Sequence, residues 1–189
     1  GIKANNKTTI VVDSNKTNPG KNGTITIKAK TLWSPSGDSG SKYTAAHGIA
    51  VGNFSQRFNK KVSEDLVKTT INADVVIEEL RGGSIKTTGI SSMDCSDLAI
   101  NGRFTIKPGA ISLMQWNRGD QSKTYGIYMI GSNNTISITS ADIDDSKNGS
   151  LSDLIKTDES LWGGKTEKNV LRIGGGTLKV IENQKERYL

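Results

Sequence analysis

The chain has 189 residues and a net charge of +6, and its 33% hydrophobic and 5% aromatic content is lean for a compact globule. One cysteine excludes a disulfide framework, and one histidine argues against most zinc sites and against histidine-based acid–base catalysis. Lysine and arginine are spread along the chain, so no nucleic-acid partner is predicted, and no apolar run is long enough to form a transmembrane helix.

Residue usage favours an all-β fold. Isoleucine and valine together number 29 against 11 leucines, and Ser, Thr, Asn and Gly together make up 74 residues. Residues of the first kind favour strands, whereas those of the second kind form the corners between them. The sequence therefore predicts many short strands joined by tight turns.

Alternation of polar and apolar residues places these strands along the chain. In chain order they are Lys7–Val12, Thr24–Leu32, Gly48–Val51, Thr70–Leu80, Ser84–Thr88, Leu98–Lys107, Ile111–Trp116, Tyr125–Ile130, Thr135–Ile143, Asn169–Ile173 and Thr177–Ile181. Short helical turns are predicted at Ser63–Lys68 and Ser150–Lys156, each with a serine at the N-cap, and the tail Glu182–Leu189 is expected to fray or continue as helix. Longer loops are expected near residues 34–46 and 53–68.

Two echoes in the sequence favour a parallel β-solenoid. TITIKAKTL at 24–32 matches TISITSADI at 135–143, and HGIAVGN at 47–53 matches YGIYMIGS at 125–132. A short strand with one apolar face can bury that face by stacking on the next coil. At roughly 20–25 residues per coil, the chain would form about seven or eight rungs.

An antiparallel β-sandwich is the alternative fold. Asn-Gly pairs are the strongest short signal for a tight hairpin. They occur at Asn22-Gly23, Asn101-Gly102 and Asn148-Gly149. The solenoid is favoured because the Ile-Thr-Ile and Ile-Ser-Ile segments abut polar corners rather than forming long hairpin strands.

The segments NGTITIKAKTL, HGIAVGN, YGIYMIGSNNTISITSADI and IGGGTLKVIEN resemble the passenger regions of bacterial autotransporter adhesins. This resemblance covers most of the chain. It implies a right-handed parallel β-helix over residues 1–189, displayed on the bacterial cell surface as part of a longer protein. Cys95 departs from the pattern, because exported passengers generally avoid cysteine.

The resemblance implies an extracellular adhesin segment without catalytic activity, which binds a host or bacterial surface glycan or protein. Bacteriophage tail fibres and tailspikes use similar stretches, so a structural or receptor-binding segment of a virion is the alternative, in which the chain would self-associate. A third hypothesis is a polysaccharide-degrading enzyme on a β-helix, because such enzymes place clustered carboxylates on one face of the coil.

Arg118, Gly119 and Asp120 form an RGD tripeptide in a loop rich in glycine and polar residues. An exposed RGD presents a guanidinium and a carboxylate on opposite sides of a glycine turn, which is the charge pair that integrins capture. The three residues are therefore a candidate ligand-binding site. Arg-Gly-Asp is also favourable turn chemistry, and this simpler interpretation is preferred.

Asp144, Ser146 and Asn148 stand at alternate positions before Gly149, as ligands do in calcium loops. They are candidate metal ligands, and calcium is the one cofactor that the sequence suggests. Ile155 stands where the last acidic ligand is expected, so a polar turn is the preferred interpretation.

Two further groups of side chains have a functional and a structural interpretation. Acidic neighbours such as Glu78-Glu79 and Asp144-Asp145 point to opposite faces of a strand, which favours surface charge over a catalytic pair. An aromatic set could line a sugar-binding strip but is more simply explained as packing. Its members are Trp33, Tyr43, Trp116, Tyr125, Tyr128 and Trp162.

Overall fold

The computed structural model describes residues 2–4, 8–11, 23–30, 45–52, 67–82, 86–113, 123–145, 151–158, 168–182 and 185–188. Every regular secondary-structure element in these segments is a strand, so the predicted all-β fold is confirmed. The strands are β1 (Ile2–Ala4), β2 (Thr8–Val11), β3 (Thr24–Lys30), β4 (Ala45–Gly52), β5 (Val67–Asn72), β6 (Asp74–Arg81), β7 (Lys86–Met93), β8 (Ser96–Ile106), β9 (Ile111–Ser112), β10 (Lys123–Ile130), β11 (Thr135–Asp144), β12 (Asp153–Asp158), β13 (Val170–Ile173), β14 (Gly176–Glu182) and β15 (Lys185–Tyr188).

The strands stack in parallel as successive turns of one coil. Sheet A has five strands in the order β1-β4-β7-β10-β12, and sheet B contains the other ten. Each turn, here called a rung, contributes one strand to sheet A and then one or two strands to sheet B. Rung 1 is β1–β3, rung 2 is β4–β6, rung 3 is β7–β9, rung 4 is β10–β11 and rung 5 is β12–β14.

This pairing excludes the antiparallel sandwich. All pairings among β1 to β14 are parallel, and the antiparallel pairing in the described segments joins β14 to β15. The right-handed sense of the coil stays a prediction, in keeping with the usual hand of crossovers between parallel strands.

The prediction of seven or eight short rungs is wrong for the part of the chain that the structure describes, which forms five. The turns are unequal in length, as the register pairs show: Ile10 pairs with Ile71, whereas Ile71 pairs with the much nearer Ile100. Long connections between strands therefore use up chain that even coils would have placed in further rungs.

Several local predictions also change. The helical turn predicted at Ser150–Lys156 is wrong, because Asp153–Asp158 is strand β12, which buries Leu154 and pairs with β10. Strand β15 replaces the fraying or helical tail. Strand β4 begins inside the expected loop 34–46. Strand β5 begins inside the expected loop 53–68 and inside the helical turn predicted at Ser63–Lys68. The rest of these segments lies outside the described residues.

The core consists of side-chain ladders, in which the same residue type recurs from rung to rung. The ladder in sheet A is Ile2, Ile49, Ile90, Ile127 and Ile155, and the corresponding ladder in sheet B is Ile71, Ile100, Ile138 and Ile173, with the backbone of Ile10 in register before them. The side chains of Ile49, Ile90 and Ile127 are fully buried. Each isoleucine covers the next, so a narrow core forms from few apolar residues.

A column of glycines accompanies the ladder of sheet A. Gly48, Gly89 and Gly126 each precede its isoleucine, so the echo between HGI and YGI places two stretches in the same register. A Cβ atom at Gly48 would lie 2.7 Å from the carbonyl oxygen of Gly89, and one at Gly89 would lie 2.6 Å from that of Gly126. The close approach of the backbones therefore requires glycine.

Asn134 joins the rungs at the corner between the two sheets. Its side chain is fully buried, and its Oδ1 accepts hydrogen bonds from Ser96 Oγ at 2.8 Å and Ser92 Oγ at 3.2 Å. Its Nδ2 donates to the carbonyl oxygen of Ile130 at 3.0 Å and to Oδ1 of Asn169 at 2.9 Å. One amide thus connects three successive rungs.

Candidate functional surface

The outer side of sheet B carries polar side chains that recur once per rung. The part of this surface that is formed by β3, β6, the second half of β8, β11 and β14 is here called the polar face. One column on this face alternates in charge along all five rungs. From rung 1 to rung 5 it consists of Lys28, Glu78, Lys107, Asp144 and Lys179. It is called the charge column below.

Glu78 is bound by a lysine from each neighbouring rung. Its two carboxylate oxygens lie 2.5 Å from Lys28 Nζ and 2.5 Å from Lys107 Nζ. A register shift between Ile27 and Lys28 puts the Lys28 backbone opposite Glu79, yet its ammonium reaches Glu78. The lysines are more than half exposed and Glu78 is about a quarter exposed, so the column faces solvent.

These contacts shift the pKa of Glu78. Hydrogen bonds from Lys107 and then Lys28 are the main causes, and they lower the pKa from 4.5 to about 2. The same pairing raises the pKa of Lys28. A carboxyl group whose folded-state pKa is depressed adds stability above its unfolded pKa and loses it as the pH falls through the folded value.

We expect Glu78→Gln to flatten the acid branch of the stability curve. The contribution from Glu78 is complete above pH 4.5 and disappears between pH 4.5 and about 2. Melting temperatures measured across this interval should therefore fall less steeply in the variant, and the difference should shrink at high salt. Asp97→Asn, which removes a carboxylate of sheet B outside the charge column, is the control and should keep the parental slope.

A second set of contacts ties rungs 2 to 5 together beside the charge column. The backbone N–H of Arg103 donates to Asp74 Oδ1 at 2.8 Å, and Arg103 Nη1 lies 3.2 Å from Asp142 Oδ2. The backbone N–H of Thr177 donates to Asp142 Oδ1 at 3.0 Å. Side chains on the polar face are thus held in place by the neighbouring rungs.

The structure places two members of the predicted aromatic strip on sheet A. Tyr125 and Tyr128 stack with ring centroids 4.9 Å apart, and Lys86 Nζ lies 3.9 Å from the Tyr128 centroid. Both tyrosines are buried, and burial, followed by the nearby carboxylates of Asp153 and Asp158, raises the pKa of Tyr125. This supports packing rather than an open sugar platform. Trp33, Tyr43, Trp116 and Trp162 lie outside the described residues.

Of the predicted site residues, the structure describes Asp144 alone. Arg118, Gly119 and Asp120 of the RGD tripeptide, and Ser146 and Asn148 of the calcium loop, lie outside the described residues. Both sites therefore stay predictions.

Asp144 has a role that its own loop did not indicate. It stands in register between Lys107 and Lys179 and so belongs to the charge column. The next carboxylate, Asp145, points the other way and is buried, and its Oδ2 accepts a hydrogen bond from the backbone N–H of Leu151 at 2.6 Å. Asp145 thus ties together the two ends of the turn in which Asp144, Ser146 and Asn148 were candidate calcium ligands.

Within the described segments no three histidine, cysteine, aspartate or glutamate side chains converge as a metal site would require. The same segments contain no helix of the length and apolarity needed to cross a membrane. Cys95 is buried and forms no disulfide, and it lies in a corner with positive φ.

The chain was compared with protein-family models, curated proteins and solved structures. None of the three comparisons gives a match.

Neither the charge column nor the corner network was found from sequence. Their members are far apart along the chain and meet only through the stacking register. The available signal was a charged residue directly after an isoleucine, which recurs at Lys28, Glu78, Lys107 and Asp144, but the unequal turns hid the alignment of these residues.

Proposed function

We propose that this chain is a segment of an extracellular bacterial surface adhesin, and that it binds host or bacterial surface glycans or proteins without catalysis. The observation that carries the proposal is the polar face, on which polar side chains recur in every rung and remain open to solvent. Strands in a sheet are about 4.8 Å apart, so a long ligand meets a similar set of groups at each step. Weak contacts repeated in this way add up through avidity.

Rigidity of the face supports this function. Glu78 pairs with Lys28 and Lys107 across three rungs, and the Arg103 guanidinium pairs with Asp142 of the next rung. Side chains that are already ordered lose less conformational entropy when a partner binds. The threonines Thr26, Thr105 and Thr177 belong to one column beside these charges and offer hydroxyl groups for polar contacts.

Adhesion of beads coated with the chain to epithelial monolayers tests the proposal. We expect the native chain to retain beads, and the double variant Thr26→Glu, Thr177→Glu to retain about tenfold fewer, because it adds a carboxylate to the polar face at both its first and its last rung. Thr157→Glu is the matched control, because Thr157 is equally exposed but lies on β12 of sheet A. Equal retention by both variants would contradict the proposed surface.

The alternatives predict different results. A tail-fibre or tailspike segment should be an obligate trimer in solution, so a trimeric mass would favour the virion hypothesis. A β-helix enzyme should release new reducing ends from acidic or neutral polysaccharides. Treating the monolayer with periodate or with protease before the assay distinguishes a glycan ligand from a protein ligand.

A further inference from the structure

The polar face differs between odd and even rungs. In rungs 1, 3 and 5, two neighbouring columns carry a threonine and a lysine, in TIK at 26–28, TIK at 105–107 and TLK at 177–179. In rungs 2 and 4 the same columns carry carboxylates instead, in VIE at 76–78 and DID at 142–144. The pattern of charges and hydroxyl groups on these columns therefore repeats every two rungs.

Cations of the odd rungs stand above the carboxylates of the even rungs. The side chains of Lys28 and Lys107 are 65% and 52% exposed, whereas that of Glu78 between them is 24% exposed. Arg103 of rung 3 is likewise 63% exposed, against 34% for its partner Asp142 of rung 4. An ammonium group has three N–H donors, so each lysine that bonds Glu78 keeps donors for a ligand. A molecule that approaches this face meets the cations first.

The spacing of two rungs limits the polymers that can follow the face. Because strands in a sheet are about 4.8 Å apart, equivalent positions in alternate rungs are about 9.6 Å apart. An extended peptide repeats the side chains of one face every two residues, about 6.7 Å, and would fall out of step with the lysines. An extended glycan of two alternating sugars repeats once per disaccharide, which is close to the length of two rungs.

We propose that the polar face binds a linear glycan that carries one carboxylate per disaccharide and lies along the coil. The glycan carboxylates meet Lys28, Lys107 and Lys179, and the sugar hydroxyls between them donate to Glu78 and Asp144. Threonine hydroxyls beside the lysines supply further donors and acceptors. This inference rests on the proposed adhesin function and specifies the chemistry of its ligand.

Carboxylates of the even rungs make the face selective against a glycan with a charge on every sugar. The additional charges of such a glycan would lie over Glu78 and Asp144, and like charges brought together weaken binding. A neutral glycan would form no ion pairs with the lysines. The chain should therefore bind hyaluronan, in which uronate and neutral sugars alternate, at least about tenfold more tightly than alginate, a polyuronate, or dextran, a neutral glucan.

Biolayer interferometry with the immobilised chain measures these affinities. The double variant Lys28→Gln, Lys107→Gln should bind hyaluronan about tenfold more weakly, because it loses two of the three lysines of the charge column. Lys68→Gln, Lys123→Gln is the matched control, since it removes the same charge from exposed lysines outside the polar face, and it should bind as the native chain does. Exposed ion pairs contribute little to stability, and circular dichroism checks that both variants keep the β-type spectrum.

A second variant tests the even rungs by a change in preference. Glu78→Gln combined with Asp144→Asn removes the carboxylates that oppose a charge on every sugar. This variant should bind alginate as tightly as hyaluronan, whereas the native chain should prefer hyaluronan. A change in preference between two glycans reports on the surface itself, since a general loss of folded protein would weaken binding to both.

The inference is overturned if alginate or poly-L-glutamate binds the native chain as tightly as hyaluronan does, because charge alone would then explain the contact. Equal hyaluronan binding by the folded lysine variant and its control would also overturn it. Bead adhesion to monolayers keeps this result apart from the adhesin proposal. Beads that adhere although hyaluronan does not bind would contradict the acidic glycan alone, whereas adhesion that is lost after hyaluronidase treatment of the monolayer would support both proposals.

Discussion

Replacing Gly89 by alanine should destabilise the chain by about 3 kcal/mol, the upper part of the range for overpacked sites. The new Cβ would lie 2.6 Å from the carbonyl oxygen of Gly126 and 2.9 Å from Cδ1 of Ile106. The side chain of Ile106 could move, but the oxygen belongs to the backbone of the neighbouring strand in sheet A. Relief would require β7 and β10 to separate, and the glycine column would open along with the ladder beside it.

Urea unfolding followed by circular dichroism measures this effect. The control is Gly175→Ala, because a Cβ at Gly175 would have no atom within 4 Å. That variant should change the free energy of unfolding by less than about 0.5 kcal/mol. If the two variants were equally stable, the close approach at the glycine column would not be a requirement of the fold.

The glycine column also shows how far the sequence determines the fold. The motifs HGI and YGI were visible as an echo because each stands in an alternating strand. The third member of the column, Thr88-Gly89-Ile90, was missed because the predicted strand ended at Thr88. Strand β7 continues to Met93 through Ser91 and Ser92, whose side chains are fully buried. Serine is polar, so buried serines do not contribute to the alternation of apolar and polar residues, and this alternation could not extend the predicted strand.

The candidate surface was less predictable than the core. An isoleucine ladder can be recognised in the sequence, since each rung must bury an apolar residue at the same place. The register neighbours of Asp144, in contrast, are Lys107 and Lys179, and nothing in its own loop indicates them. Local spacing suggested a calcium ligand, whereas the register between rungs puts the residue in a column of alternating charge. Such contacts follow from stacking, and the unequal turns concealed the stacking period.

Asn134→Ala should cost about 3 kcal/mol, because it removes four side-chain hydrogen bonds from one buried corner. The hydroxyls of Ser92 and Ser96 lose their shared acceptor, and the carbonyl oxygen of Ile130 loses a donor. Oδ1 of Asn169, in the next rung, loses the hydrogen bond from Nδ2 of Asn134. A methyl group at this corner can replace none of these bonds, and the corner is too deeply buried for water to reach it without repacking.

Asn101→Ala is the matched control. Asn101 is exposed and donates from Nδ2 to Asn72 Oδ1 at 2.8 Å, so it also forms an amide contact between neighbouring rungs. Water can satisfy both amides when this contact is removed, and the free energy of unfolding should change by less than about 0.5 kcal/mol. The comparison separates burial from ladder position. A similar loss for both variants would mean that stacking of amides itself stabilises the coil, whereas the expected difference means that the desolvated corner does so.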